Sequence, residues 1–324
     1  MSMTTSNSSV LIRSELWSSQ IKEVLLDELM AQKYIRWLSE FPDGDLLTIP
    51  SIGQSQIRDY VEDTAVRYDA LDTGEFQFAI TEYKQAGHYI TEKNRQDALY
   101  AAQLEASFVP RMQRSLSVAV EQDILALANT QPGGAGDSNT INGAAHRFAA
   151  SGTSERFTMN DFAYAKFALD KAYVPAAGRV AIVDPSVELT MATQPNVVNL
   201  LGSNPLWGHD IIGNGAGDGM RFFKNLFGFD VYVSNHLPAA NETIDDINGA
   251  SKTTAAGKAN LFFNPTVDGG TFVGAWRQMP KVDGEYNKDF QREEYVLTAR
   301  YGLKLFRPEA LVVVVADTDA PIAS

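Results

Sequence analysis

The chain has 324 residues, 44% hydrophobic and 21% charged, enough for about two domains with sizeable cores. Its 27 basic and 40 acidic residues leave a formal net charge of −13, which argues against duplex reading as the main task. The absence of cysteine excludes disulfides, thiolate metal sites and cysteine nucleophiles, and it fits folding in a reducing cytoplasm.

Residues 1–17 lack the basic-then-apolar pattern of an export signal. The longest apolar run, ALVVVVA at 310–316, is far too short to cross ~30 Å of hydrocarbon. The chain therefore reads as soluble. Ser14 is a plausible helix N-cap. Behind it, Trp17, Ile21, Val24, Leu25, Met30 and Ile35 form an apolar stripe that Phe41-Pro42-Asp43-Gly44 ends, so a long N-terminal helix is expected. Leu47, Ile49 and Ile52 then turn to strand chemistry, and Phe76, Phe78 and Ile80 alternate with polar or small neighbours. If residues 45–90 are one hairpin, each arm reaches roughly 60 Å, against a radius of gyration of about 20 Å for a compact chain of this length. Such a hairpin overhangs its own domain unless it bends, and its apolar face can pack on this chain or on another.

A spine helix follows. Leu104, Phe108, Met112, Leu116, Val120 and Ile124 recur every four residues, with a kink or break expected at Pro110. Residues 131–158, rich in Gly, Ser, Asn and Thr, read as a long exposed loop. Thr158 caps a helix over 159–172, residues 179–183 form a short buried strand, and Ser186 opens a helix toward Ala192. MRFFKNLFG at 220–228 reads as a short helix, FDVYV at 229–233 as a strand, and 239–258 as loop. Strands over 271–276, 295–305 and 311–315 complete the chain, which has no fixed-period repeat.

The chemistry-bearing motifs are weak. In IIGNGAGDGM at 211–220, Gly213 and Gly215 are followed by Asp218 where a dinucleotide loop needs its third glycine. The preceding NPLWGHDII is a poor core strand, so the stretch reads as a flexible surface turn. Gly257-Lys258 is followed by Ala259 where a phosphate loop needs Ser or Thr. His88, His146, His209 and His236 fall in no metal-ligand spacing, and no G-x-S-x-G elbow occurs. The carboxylate pairs Asp43/Asp45, Asp245/Asp246 and Asp317/Asp319 lie in turns, a polar loop or the chain end. No catalytic, cofactor-binding or metal-binding residue is expected, and no cofactor.

The order of these parts is more telling. Together with GMRFFKNLFGFDVYVSNHLP and REEYVLTARYGLKLFRPEALVVVVAD, it resembles the major capsid protein of tailed bacteriophages, the Hong Kong 97 fold. The first stretch is similar to that family's segment in which a short helix ends at G-[FY]-x-V and leads to S-N-x-L-P. The second is similar to its R-x-G-x-x-[VL]-x-[RN]-P-E-A segment and terminal strand. The resemblance covers nearly the whole chain. It implies an α+β fold with an N-terminal arm (1–44), an extended β-hairpin loop (45–92) and a peripheral-domain spine helix (93–130). An axial domain (131–265), peripheral-domain strands (266–307) and a terminal axial strand with tail (308–324) would follow.

It further implies homo-oligomeric hexamers and pentamers, forming an icosahedral shell around a double-stranded DNA genome. The implied partners are a scaffolding protein during assembly, a portal protein and a cement or decoration protein. Neither sequence-specific nucleic-acid binding nor a membrane is implied. The location is the virion capsid, after synthesis and assembly in the host cytoplasm. Trp17, Ile21, Phe76, Phe78, Ile80, Gly213, Gly215 and Gly217 become candidate contacts between subunits, the glycines because small residues let backbones approach closely. With the arm helix opening near residue 14, a separate scaffolding protein and no maturation cleavage are expected. An isopeptide crosslink would need a lysine of the extended loop, a partner asparagine and a glutamate. Lys84 and Lys93 are the lysines in or beside that loop, Asn287 is a candidate partner, and no crosslink is expected. The alternatives are an encapsulin-like compartment shell and an α/β nucleotide-binding enzyme.

Overall fold

The computed structural model describes residues 29–38, 46–52, 57–63, 65, 73–97, 101–193 and 221–318. Its first element departs from the expected N-terminal helix. A 3-10 turn, Ala31–Lys33, leads into strand β1, Ile35–Leu38. The cause is Glu121, buried on the spine helix, whose carboxylate accepts the backbone N–H groups of Met30, Ala31 and Gln32 at 2.9, 2.8 and 3.3 Å. Met30 and Ile35 still turn inward, as the apolar stripe required, but in another backbone geometry.

β2 (Leu46–Ile52) and β3 (Thr73–Ala79) form an antiparallel ribbon, and β4 (Glu82–Thr91) leads into α1, Glu92–Asp97. The spine helix α2, Ala101–Ala126, is about 39 Å long and runs unbroken through Pro110, which is exposed. Met112, Leu116, Val120 and Ile124 are buried along it, as the four-residue spacing required.

Residues 131–158 are not one exposed loop. β5 (Thr140–Ile141) and β6 (Ala144–Ala145) form a minimal hairpin, and β7, Arg147–Ala149, is wholly buried beside the last strand of the chain. Three residues flanked by turn formers carry too little pattern to be read as a strand. Thr158 does cap α3, Met159–Lys171, in a reciprocal capping box with Asp161. β8, Arg179–Val183, is the expected buried strand. α4 spans Pro185–Thr193, with Asp184 rather than Ser186 at its start: the Ser186 N–H donates to Asp184 Oδ2 at 2.9 Å.

The expected short helix at 220–228 is instead a strand, β9, Arg221–Leu226, folded back on β10, Phe229–Val233. Phe227 and Gly228 between them both have positive φ, 50° and 86°, the geometry of a tight two-residue hairpin turn. Residues 239–258 hold a small hairpin of β11 (Thr243–Asp245) and β12 (Ser251–Thr253). β13, Gly257–Phe263, then starts within the expected loop. β14 (Phe272–Asn287) and β15 (Arg292–Leu305) form a long antiparallel pair, and β16 is Leu311–Asp317.

Two sheets organise the chain. The central one has six strands in the order β7-β16-β13-β8-β10-β9. Its strands lack polar alternation because both faces are covered. One face presents Val180, Ile182, Leu261, Phe263, Val313 and Val315 to a cluster in which Phe263 meets the Tyr34 and Phe272 rings edge-on at 5.9 and 5.2 Å, and which also holds Leu127, Ala128 and the apolar stripe of α2. The intervening residues, among them Ala181, Val183, Phe262, Val312 and Val314, pack with Phe162 and Leu169 of α3 and Met191 of α4. The second sheet has the order β1-β14-β15-β4 and lays Leu297, Ala299 and Tyr301 on the same α2 cluster. α2 thus packs on the second sheet, and the apolar cluster it belongs to extends to the central one.

β13 was missed in the sequence because Lys258 and Asn260 break its apolar run. Asn260 is fully buried, yet it accepts the Asp184 N–H at 2.8 Å and donates to the Val314 carbonyl at 3.1 Å, stitching β13 to both neighbours. Arg147 is buried in the same manner. Its Nε donates to Glu242 at 2.9 Å, Nη1 to the Ala128 carbonyl at 2.9 Å and Nη2 to Asn129 Oδ1 at 3.1 Å. The second Glu242 oxygen accepts the Gly136 N–H at 2.9 Å, so one ion pair joins β7, the end of the spine and the glycine loop.

Three changes in stability follow, each read from the urea midpoint of the unassembled subunit. Glu242→Ala strands a buried guanidinium and should cost about 3–5 kcal/mol. Glu121→Ala leaves the backbone donors of residues 30–32 unmet and should cost about 3 kcal/mol. Tyr173 ends α3 at φ 58° with its ring 89% exposed, while the Val174 N–H returns to the Leu169 carbonyl at 3.0 Å. That position favours glycine, so Tyr173→Gly should stabilise by about 1 kcal/mol.

Candidate assembly surface

The apolar face of β3 is satisfied within the chain. Phe78 and Ile80 are buried against Val273 and Ala275 of β14, and the Phe76 ring meets Phe306 edge-on at 4.8 Å. The ribbon lies so close to β15 that a Cβ on Gly302 would stand 2.6 Å from the Ala79 carbonyl oxygen. The alternation that suggested an intermolecular contact at Phe76, Phe78 and Ile80 is therefore accounted for, at Phe78 and Ile80, by the chain's own core. Trp17, Ile21, Gly213, Gly215 and Gly217 lie outside the described residues.

Other apolar groups are left in water. In the segment between the ribbon strands, Ile57, Tyr60 and Val61 are 94%, 84% and 61% exposed, among Arg58, Asp59, Glu62 and Asp63. Clustered exposed apolar side chains of this kind mark contact surfaces. Pattern reading of the extended loop passed over them, because they alternate with nothing. At the far end of the second sheet, the Arg292 guanidinium lies between the rings of Tyr89 and Phe290, 4.5 and 4.7 Å from their centroids. Phe290, in the β14–β15 turn, is 65% exposed. Nearby, Asn287 donates to Glu294 at 3.2 Å, and its own Oδ1 accepts the Asp289 and Phe290 N–H groups.

Lys84 is held from two sides. Its Nζ lies 2.9 Å from both Glu82 and Asp123, and Asp123 also accepts the Tyr301 hydroxyl at 2.6 Å. The bond to Glu82 and the Asp123 charge outweigh partial burial and raise the Lys84 pKa, keeping the amine in its charged, non-nucleophilic form. Tyr301 is pushed up as well, by burial and then by its bond to Asp123. Lys93 sits on α1.

The remaining polar candidates do not converge. His146 is fully buried, its Nδ1 3.1 Å from the Ala144 carbonyl, and burial lowers its pKa. His236 lies 3.3 Å from Gln122, and Asp246 closes its own hairpin by accepting the Asn248 and Ala250 N–H groups. Asp317 accepts from Ala255 and Ala256. Gly257 opens β13 where a Cβ would stand 2.2 Å from the Ala240 carbonyl, a close backbone approach. Residues 221–226, directly after the glycine stretch, form strand β9 and not the helix N-terminus that a phosphate loop would need there. Among the described residues, no cluster of three potential ligands could hold a metal, and no helix is long and apolar enough to cross a membrane.

A family model described as phage capsid protein matches residues 72–314. No curated protein matches in sequence. Among solved structures, one from Mycobacterium phage Che8 is 18% identical, aligning 94% of this chain with 97% of its own at a TM-score of 0.64. The asymmetric unit of the bacteriophage PhiM1 mature capsid is 12% identical, covers 98% and 96%, and has a TM-score of 0.71. The capsid of Ralstonia phage GP4 is 11% identical, covers 100% of both chains, and has a TM-score of 0.64. At these identities the structures show a shared fold, the α+β Hong Kong 97 type that the element order suggested. With the family model extending from just before β3 into β16, the last strand of the chain, the chain belongs to the phage capsid protein family, as a major capsid protein of a tailed phage.

Proposed function

We propose that copies of this chain assemble into hexamers and pentamers that close an icosahedral shell around a double-stranded DNA genome, a structural role with no catalysis. The observation that carries this reading is the apolar segment at 57–63, with Ile57, Tyr60 and Val61 standing in solvent beyond the two-stranded ribbon. A neighbouring copy would cover them, and the extended loop, 45–92, would be the reaching element. The second sheet with α2 would form the peripheral domain. The central sheet with α3 and α4 would form the axial domain, built from 131–265 and the terminal strand. Trp17, Ile21, Phe76 and the glycines at 213, 215 and 217 complete the proposed contact set.

A net charge of −13 supports an inner wall that does not hold DNA as it is packed. Assembly would take place in the host cytoplasm on a separate scaffolding protein, with a portal at one vertex and cement or decoration proteins added outside. Co-expression with the cognate scaffold should give capsomers or shells by size-exclusion chromatography and negative-stain microscopy. A chain that stays monomeric at high concentration overturns the reading. Tyr60→Asp should leave the subunit's unfolding midpoint unchanged and lower shell yield by at least about tenfold, the effect of losing roughly 1.4 kcal/mol at a contact.

A further inference from the structure

His146 stands where four segments meet, and its main chain ties them. Its N–H donates to the Ser138 and Asn139 carbonyls at 3.0 and 3.2 Å, at the end of the glycine loop. Its carbonyl accepts the Val313 N–H of β16 at 2.9 Å and, from beyond the spine helix, Gln131 Nε2 at 3.3 Å. The next residue, Arg147, opens β7, an outermost strand of the central sheet, and its N–H returns to the Ser138 carbonyl at 3.0 Å. The glycine loop, the residues after the spine and β7 are therefore joined to β16 around this one residue.

The imidazole is fully buried. The Ala144 carbonyl, 3.1 Å from Nδ1, can only accept, so Nδ1 carries the proton of the neutral ring. Nε2 is buried with no hydrogen-bond partner among the described residues. A second proton there adds an unmet N–H and a charge together, and a buried charge needs a partner. Burial is the largest influence on the ring and lowers its pKa. The bond to Ala144 and then Glu309, on the turn before β16, pull the other way and are outweighed.

The other polar groups around it are committed. Glu309 is paired with Arg307 at 3.2 Å, and both are more than a third exposed. Arg147 already holds Glu242 at 2.9 Å. Asp137 of the glycine loop accepts the Asn139 N–H at 2.8 Å, and the Tyr164 hydroxyl of α3 accepts the Ala145 N–H at 3.2 Å.

We propose that His146 is an acid-sensitive latch: neutral, it locks β7 and the glycine loop onto β16, and protonated, it releases them while the rest of the central sheet holds. The sign follows from linkage. The folded ring binds a proton less readily than the unfolded one, so the stability present above about pH 6.5 is lost as pH falls below that value. One proton taken up on opening shifts the equilibrium by up to about tenfold per pH unit. The latch is a property of the subunit and does not depend on the shell reading.

Residue-resolved amide hydrogen exchange of the unassembled subunit, from about pH 7.5 down to about pH 5.5, tests it. Protection factors, which remove the direct effect of pH on exchange, should fall at Arg147 and Val313 by up to about tenfold per unit below about pH 6.5. Those of Val174 and Ser234, whose N–H groups bond elsewhere at 3.0 Å each, should stay level. Level protection at Arg147 and Val313 overturns the proposal, and so does an equal fall at all four amides. His146→Asn can still meet the Ala144 carbonyl but cannot become charged, so the pH dependence should vanish; its persistence overturns the latch. Glu309→Gln should keep the dependence, and losing it there assigns the proton to Glu309 instead, which also overturns the latch. The wild-type ring gives a reading that needs no variant. Its Cε1 proton, followed by NMR in the folded subunit, should titrate well below pH ~6.5, and titration at that usual histidine value overturns the proposal.

Discussion

A sheet that is apolar on both faces has to be covered twice, and the rest of this chain is arranged around that demand. Leu311, Val313 and Val315 turn to one side while Val312, Val314 and Ala316 turn to the other, so neither face of β16 can meet water. α3 and α4 cover one side with Phe162, Leu169 and Met191. The other side joins a cluster that holds Tyr34, Phe272 and, just beyond the spine helix, Leu127 and Ala128; the same cluster takes in the helix's stripe and Leu297, Ala299 and Tyr301 of the second sheet. One continuous apolar cluster therefore links the two sheets, and the four-residue spacing of the spine helix forms its part against the second sheet.

Apolar burial has no direction, so it leaves open how the segments are threaded. Buried polar groups select the arrangement. Glu121 takes the backbone donors of residues 30–32 and places β1 beside β14, where Trp37 stacks on Trp276 at 4.9 Å. Arg147 joins the short β7 to the end of the spine and to Glu242. Asn260 fixes the register of β13 between two apolar neighbours. Each of these groups is costly to bury without its partner, and that cost is what makes the arrangement specific.

A chain of the capsid family must also leave some demands unmet, since its neighbours are to meet them. Here the core is closed by the chain itself, including the face of β3 that carries Phe78. Among the described residues, what stands open lies further out: the apolar residues of 57–63 and the aromatic and arginine stack at the end of the second sheet. The strong negative charge keeps such a surface soluble before assembly.

The sequence by itself determined the elements whose pattern is long or locally closed. These are the spine helix through its spacing, α3 through Thr158 and Asp161, the buried strands at 179–183 and 311–315, and the order of parts that resembles the capsid fold. It misjudged the segments whose conformation is set by a distant partner. Residues 30–38 follow Glu121 and β14, β9 follows β10, β7 follows β16, and β13 is held by Asn260. The face at Phe76, Phe78 and Ile80 was legible as apolar, but a period of two cannot say whether its cover belongs to the same chain. Only the tertiary structure decided that Val273 and Ala275 provide it. That is a relation between strands far apart in sequence, and no local spacing records it.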